Sequence, residues 1–261
     1  MDKISEAASL IAENRRSLSR LAPLPAELEP QSLEDAYRIQ DTLHGMLVPD
    51  LGPMVGYKIG CTSAVMQKYL SIAHPCGGGL YANRLFDSGV QLKAADFVRL
   101  GVECEFAVKM GADLPSSATP YTTEVVAAAI ESYYPAIEFV DDRYVHWETL
   151  GAPTLIADDF FSAGLVLGKP IPRAQAPELL NVMGRGMING AEVARGKGAD
   201  VLGHPHNPLT WLANHLSSRG QSLRKGDFVT VGSVIQTVWL ARGDEARMEF
   251  DGLGTVSLRL V

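Results

Sequence analysis

The distribution of helical and extended patterns along the 261 residues is the strongest constraint on the fold. Two amphipathic helical patterns come first, from about 4 to 21 and, after the N-cap candidate Ser32, from about 33 to 47. From Met54 onward short strand-like runs predominate, and further helical patterns appear only at 63–71, 122–133 and 205–218. Many strands with few helices between them argue against a doubly wound sheet, so we predict an α+β fold with a curved, mostly antiparallel sheet or roll.

Nine runs of apolar and alternating residues predict strands, and Asn189-Gly190 predicts a hairpin turn. The predicted strands are 54–60, 99–110, 135–141, 163–168, 183–189, 227–233, 236–241, 245–250 and 255–261. The glycines that follow Cys76 do not form a GxGxxG pattern, and the sequence has no Walker loop. A nucleotide-binding fold therefore has little support.

Charge and cysteine content exclude several classes of function. The net charge is -7, which disfavours binding to nucleic acid or to an anionic membrane surface, because such contacts need clustered Lys and Arg. No apolar run reaches the length of a membrane span, and the N-terminus lacks the signal-peptide pattern. Three cysteines without CxxC spacing argue against a disulfide framework, so we expect a cytoplasmic protein.

The segment 100–108 carries two carboxylates in an alternating pattern. Val102, Cys104 and Phe106 alternate with Glu103 and Glu105, so in a strand both acids lie on one face, about 7 Å apart. One interpretation is a pair of ordinary surface glutamates. The other is a pair of ligands in a site.

A third carboxylate, Glu138, lies between Ile137 and Phe139 in another predicted strand. A carboxylate buried among apolar residues costs several kcal/mol unless it is paired. Glu138 is therefore expected either to pair with a cation such as Arg143 or to join Glu103 and Glu105 in an oxygen-rich site for Mg²⁺.

Three further segments contain residues that could act in a site. Lys58 lies between glycines on a short strand and is either exposed to solvent or a proton-transfer lysine with a pKa lowered by burial and a nearby cation. Asp158 and Asp159 follow an apolar run, where a turn is the simplest interpretation. His204 precedes a predicted helix start, where histidines act as ligands or, more commonly, as capping groups.

Together these segments resemble the hydratase and decarboxylase branch of the fumarylacetoacetate hydrolase superfamily over nearly the whole chain. The order and spacing of the motifs carry the resemblance, not any single motif. The motifs are GYKIG-x-T at 56–62, the Gly-rich stretch at 77–81, E-x-E at 103–105, PAIE-x-x-D-x-R at 135–143, AD at 157–158, LGHP-x-NP-x-x-WLA at 202–213 and GD-x-x-x-x-G at 226–232.

The resemblance implies a mixed β-roll of the fumarylacetoacetate hydrolase C-terminal type, with an N-terminal helical region at 1–52 and a catalytic domain at 53–261. It implies that Mg²⁺ or Mn²⁺ is held by Glu103, Glu105 and Glu138, and that Lys58 and Asp158 are catalytic. The residues that it implies for substrate binding are Tyr57, Gly78, Leu80, Asp159, Ser162 and His204. A homo-oligomer is implied as well, with a related decarboxylase or an aldolase as a further partner.

The implied activity is that of a hydro-lyase in aromatic meta-cleavage catabolism, which hydrates a 2-hydroxy-2,4-dienoate to a 4-hydroxy-2-oxo acid. The alternatives are a 4-oxalocrotonate-type decarboxylase and a non-catalytic partner subunit. No His in this chain has a Glu three residues after it, which argues against the hydrolases, and NP-x-x-WLA at 207–213 favours the hydratase. Similar proteins usually read A-D-N-x-S at 157–161, where this chain reads ADDFF, so a bulkier or less anionic 2-oxo acid is a further alternative.

Overall fold

The computed structural model describes residues 2–261. In this part of the chain six α-helices accompany two β-sheets. The helices are α1 (Lys3–Ser17), α2 (Leu33–Leu51), α3 (Ala64–Tyr69), α4 (Thr123–Ala128), α5 (Ala152–Ala157) and α6 (His206–Ser218).

The first two helices pack against each other through an apolar contact surface of their own. The predicted N-cap Ser32 is confirmed, because its hydroxyl accepts a hydrogen bond from the backbone N–H of Asp35 at 3.1 Å. Small residues on α1, such as Ala8, pack against Leu43 of α2 in one buried cluster. α2 also contacts α5 and β2, so the helical pair is fixed to the strands that follow.

The larger sheet holds nine strands of mixed direction. Its main path runs β2-β1-β11-β5-β6-β7-β3, with β12 paired to β5 and β8 paired to β6. These strands are β1 (Met54–Gly60), β2 (Cys76–Tyr81), β3 (Leu85–Asp87), β5 (Leu100–Met110), β6 (Ile130–Asp141), β7 (Ser162–Leu167), β8 (Ile171–Pro172), β11 (Phe228–Ser233) and β12 (Val238–Trp239).

The smaller sheet holds five strands in the order β10-β9-β13-β14-β4. They are β4 (Val90–Leu92), β9 (Met183–Ile188), β10 (Ala191–Lys197), β13 (Glu245–Phe250) and β14 (Gly254–Leu260). One large cluster of buried apolar side chains lies between the two sheets and includes Phe106 and Phe250, whose rings are 4.9 Å apart. The predicted hairpin is confirmed, since β9 and β10 are antiparallel and joined at Asn189-Gly190.

The predicted helix at 122–133 is wrong in its second half. The helix α4 ends at Ala128, and β6 begins at Ile130. The strand is longer than predicted because it pairs with almost the whole of β5, from Met110 opposite Ile130 to Leu100 opposite Asp141. Tertiary pairing of this kind overrides the local helical pattern. Helix α5 and the short strands β3 and β4 were not predicted, because each has too few residues to show a clear hydrophobic periodicity.

The predicted α+β class with a mixed sheet is confirmed. The division into regions 1–52 and 53–261 stays a prediction. None of the helices in residues 2–261 combines the length and the apolar character that crossing a membrane requires.

Candidate active site

The three predicted carboxylates meet on one face of the large sheet. Glu103 of β5 lies directly opposite Glu138 of β6 in the antiparallel register, and Glu105 lies two residues further along β5 on the same face. One oxygen from each of the three side chains lies within 4.8 Å of the other two. The alternating pattern of β5 therefore gathers the acids at one point.

Burial makes these carboxylates unlike surface glutamates. Glu105 is 1% exposed and Glu138 is fully buried, while Glu103 is partly exposed and marks the side on which the cluster opens. Burial and repulsion from Glu138 raise the pKa of Glu103 above its usual value. The same causes, with added repulsion from Glu103, raise the pKa of Glu105 further. Such a cluster requires a compensating positive charge.

Each carboxylate is oriented by one donor from the segment 230–237. The Thr230 hydroxyl donates to Glu138 Oε2 at 2.9 Å, and the Gly232 N–H donates to Glu105 Oε2 at 2.9 Å. The Thr237 hydroxyl lies 2.6 Å from Glu103 Oε1. The sequence analysis missed both threonines, although the GD-x-x-x-x-G motif at 226–232 ends on Gly232.

Lys58 supplies the cation inside the cluster. Its side chain is 5% exposed, and its Nζ lies 2.9 Å from Glu138 Oε1. Glu138 therefore pairs with Lys58 and not with Arg143. Burial alone would lower the pKa of Lys58, but attraction to Glu138 and Glu103 outweighs it and raises the pKa. The groups that face the lysine here are carboxylates, so this shift is opposite in sign to the lowering that a nearby cation would cause.

The donor set fits a hard divalent cation. Three carboxylates and one lysine leave a net charge of -2, which one divalent ion balances. Oxygen ligands bind Mg²⁺ at about 2.1 Å and Ca²⁺ at about 2.3–2.6 Å, so opposite ligands are roughly 4–5 Å apart. The ligand oxygens of the three carboxylates lie within 4.8 Å of one another, which is compatible with this distance between opposite ligands. Glu103, Glu105 and Glu138 are therefore the residues that could hold a metal ion.

Asp158 and Asp159 are buried residues of an ionic network and not an exposed turn. Arg15 of α1 donates from Nε to Asp158 Oδ1 at 2.6 Å, and Arg143 donates to the other oxygen of Asp158. Since both oxygens of Asp158 bind arginines, its geometry suits a positioning role more than direct chemistry. His44 of α2 contacts Asp159 Oδ1 at 2.8 Å. The sequence analysis assigned no role to the two basic residues from α1 and α2.

The carboxyl group of Asp159 lies beside the stem of Lys58. A Cβ added at Gly78 would be 3.1 Å from both Asp159 Oδ1 and Lys58 Cδ, so glycine is needed to let the two side chains approach. Burial would raise the pKa of Asp159, but His44 and Arg15 outweigh it and lower the pKa.

The backbone of 159–161 has three successive positive φ angles of 52°, 48° and 65° at non-glycine residues, a strained conformation typical of functional segments.

The remaining predicted residues lie around two cavities and at the start of α6, and neither cavity is lined by Lys58 or by the three carboxylates. Leu80 and Ser162 line a cavity of about 240 Å³ together with Arg15 and Arg143. Tyr57 faces the opposite side of β1 from Lys58 and lines a different cavity. His204 contacts Glu178 and accepts a hydrogen bond from the N–H of His206, which agrees with a capping group.

Comparisons with known proteins agree with this geometry. The family described as fumarylacetoacetate (FAA) hydrolase C-terminal matches residues 81–261. The chain is 33% identical to the TodF product hydratase of Pseudomonas putida, over 97% of this chain and 94% of that protein. It is 32% identical to 2-hydroxyhexa-2,4-dienoate hydratase of Comamonas testosteroni, over 95% and 93% of the two chains.

A solved structure is similar over the same length. It is 4-oxalocrotonate decarboxylase from Pseudomonas putida G7, complexed with magnesium and adipate. The TM-score is 0.92 at 25% identity, and the similarity covers 99% of this chain and 97% of the decarboxylase.

Proposed function

The chain belongs to the fumarylacetoacetate hydrolase C-terminal family, and on that premise we propose that it is a metal-dependent hydratase. Its reaction adds water to a 2-hydroxy-2,4-dienoate and yields a 4-hydroxy-2-oxo acid, which makes it a hydro-lyase of aromatic meta-cleavage catabolism. The observation that carries the proposal is the convergence of Glu103, Glu105 and Glu138, whose oxygens lie within 4.8 Å of one another, with Lys58 Nζ 2.9 Å from Glu138. The two similar proteins named hydratases cover nearly the whole chain.

In this proposal Glu103, Glu105 and Glu138 hold Mg²⁺ or Mn²⁺. Such an ion, when bound, polarises the carboxylate and keto oxygens of a 2-oxo acid and stabilises negative charge on the 2-oxygen. Thr230 and Gly232 fix the direction of two of the three carboxylates, so the ligand oxygens are pre-organised before the ion arrives.

Lys58 handles the proton in the proposed reaction. Tautomerisation of the dienol moves a proton from the 2-oxygen to the carbon chain. The Lys58 ammonium group donates a proton to carbon, and the neutral amine that results takes up the proton of the 2-hydroxyl group, so the lysine ends the step protonated again. The ammonium group lies 2.9 Å from Glu138 Oε1, while the other oxygen of this carboxylate, Oε2, accepts the hydrogen bond from Thr230. Asp158 acts indirectly, by tying Arg15 and Arg143 to the strained segment that carries Asp159.

We propose the same 2-oxo-acid centre for the second candidate activity, a 4-oxalocrotonate-type decarboxylation. The structural similarity to 4-oxalocrotonate decarboxylase favours it, with a TM-score of 0.92. The two reactions share the electron sink at the 2-oxo acid and differ in whether water is added or CO₂ is lost. We also propose a cytoplasmic homo-oligomer, which can associate with a related decarboxylase or an aldolase.

The test uses the purified chain with Mg²⁺ and two substrates. With 2-hydroxypenta-2,4-dienoate we expect loss of the conjugated absorbance and formation of 4-hydroxy-2-oxopentanoate without CO₂. With 2-oxohex-3-enedioate we expect little CO₂. CO₂ release from the second compound without hydration of the first would contradict the hydratase and support the decarboxylase.

A further inference from the structure

The carboxylate cluster and Lys58 are flanked by two aromatic side chains, Phe160 and Trp239. Phe160 lies on the Lys58 side. A Cβ added at Gly60 would be 3.5 Å from Lys58 Nζ and 3.7 Å from Phe160 Cγ, so the phenyl ring and the ammonium group border the same small space. Gly60 is partly exposed, so this space faces outward.

Trp239 lies on the Glu103 side. Its strand β12 pairs with β5 so that Trp239 is opposite Gly101, two residues before Glu103 and on the same face. A Cβ added at Gly101 would be 2.8 Å from the indole and 2.6 Å from Thr237, the residue whose hydroxyl contacts Glu103. Glycine at 101 therefore makes room for the indole, and residues 101 and 103 are about 7 Å apart along the strand.

The two rings belong to one partly exposed apolar surface. We call the residues Leu70, Trp147, Phe160 and Trp239 the aromatic mouth. All four are partly exposed and pack against one buried cluster, which contains Val140, two residues beyond Glu138 on the same face of β6. The aromatic mouth is therefore continuous with the faces of β5 and β6 that carry the carboxylates.

The indole of Trp239 is held rigidly. The Arg99 guanidinium stacks over its ring at 4.0 Å from the centroid, and Arg99 also pairs with Asp142 at 3.2 Å. This cation is thus already engaged by an acid and by an aromatic ring. The ammonium group of Lys58 likewise faces the carboxylates, so both of these cations already have an acidic partner.

From this arrangement we propose that the aromatic mouth binds the far end of the substrate and selects 2-oxo acids with a neutral, apolar tail, preferably an aryl ring. The inference rests on the proposed function, because the 2-oxo-acid end must be held at the carboxylate cluster. A flat ring between Phe160 and Trp239 buries apolar surface and makes ring-to-ring contacts. A second carboxylate at this position loses hydration, and the Arg99 and Lys58 cations are already paired with acids.

The test measures binding in the presence of saturating Mg²⁺ by thermal shift and by tryptophan fluorescence. The probes are pyruvate, 2-oxohexanoate, 4-phenyl-2-oxobutanoate and the diacid 2-oxoadipate. We expect the phenyl compound to bind about tenfold more tightly than 2-oxohexanoate, and the diacid to bind no better than pyruvate. Tighter binding of the diacid than of the phenyl compound would overturn the inference. Failure of all four, pyruvate included, would overturn the proposed function with it.

Two variants locate the effect. Trp239→Ala is expected to weaken binding of 4-phenyl-2-oxobutanoate about tenfold and to leave pyruvate unchanged. Phe160→Leu keeps an apolar group and should act in the same direction. The matched control is Trp211→Ala, which removes an indole stacked on His74 and His215. Two results would contradict selection by the aromatic mouth. In one, Trp239→Ala weakens binding of pyruvate and of the phenyl compound equally. In the other, the control Trp211→Ala weakens binding of the phenyl compound as much as Trp239→Ala does.

Discussion

Replacing Lys58 with methionine tests whether the carboxylate cluster is held together by charge. The change keeps most of the apolar stem and removes the ammonium group, which is 2.9 Å from Glu138 in a pair that is 5% and 0% exposed. Removing one partner of a buried pair costs about 3–5 kcal/mol, because the remaining charge is left uncompensated. At roughly 2–4 °C per kcal/mol for a chain of this size, we expect the melting temperature to fall by about 10 °C in EDTA.

Mg²⁺ should reverse much of this loss. A ligand at a hundredfold excess over its Kd stabilises the folded state by about 2.7 kcal/mol, and the gain should be larger in the variant, where the ion replaces the missing positive charge. The assays are thermal unfolding, which gives the melting temperature, and urea unfolding, which gives the free energy, for both proteins in EDTA and in Mg²⁺. The matched control is Lys109→Met, which removes a partly exposed pair with Glu131 at 3.0 Å and should cost less than about 1 kcal/mol.

The outcome that would refute this reasoning is specific. If Lys58→Met costs no more than the Lys109 control, the buried pair does not compensate the cluster. If the loss is the same in EDTA and in Mg²⁺, the ion does not bind where the ammonium group acts. Either result would contradict the electrostatic account of the site.

Three further changes give separate tests. Thr230→Val removes the hydroxyl that lies 2.9 Å from Glu138. We expect the Mg²⁺ affinity, measured by calorimetry, to fall about tenfold. An unchanged affinity would argue against pre-organisation of the Glu138 carboxylate by Thr230. Gly232→Ala places a Cβ 2.1 Å from the Thr62 hydroxyl at a φ of +118°, so circular dichroism should report a loss of more than about 3 kcal/mol, and a stable variant would contradict this strain. Burial, with Arg219 nearby, lowers the pKa of His215 to about 4. The unfolded chain therefore takes up this proton first, and the free energy of unfolding should fall as the pH drops from about 6.5 to about 4. His215→Gln should reduce that slope, and an unchanged slope would exclude His215 as its source.

The carboxylate cluster could be predicted from the sequence because it depends on local periodicity. Alternation in β5 places Glu103 and Glu105 on one face, and the apolar neighbours of Glu138 indicate that this acid is buried. The register that sets Glu103 opposite Glu138 is a long-range property, which the alternation within one strand does not determine. The same alternation places Tyr57 and Lys58 on opposite faces of β1, and substrate binding by Tyr57 stays a prediction.

The ionic network around Asp158 and Asp159 could not be predicted in the same way. Its basic members Arg15 and His44 lie on α1 and α2, more than 100 residues before the aspartates. Both helices have many polar positions that are exposed, and nothing local distinguishes the two side chains that become buried. Contacts between distant segments depend on how the helices pack on the sheet, which periodicity does not determine.

The most direct test of the central claim is to locate a bound ion. A crystal soaked in Mn²⁺ and examined by anomalous diffraction should show one strong peak at about 2.2 Å from oxygens of Glu103, Glu105 and Glu138. In solution each chain should bind one Mn²⁺, and the Glu138→Gln variant should lose this binding. A peak elsewhere on the chain, or full Mn²⁺ binding by that variant, would contradict the assignment of these three carboxylates as the metal centre.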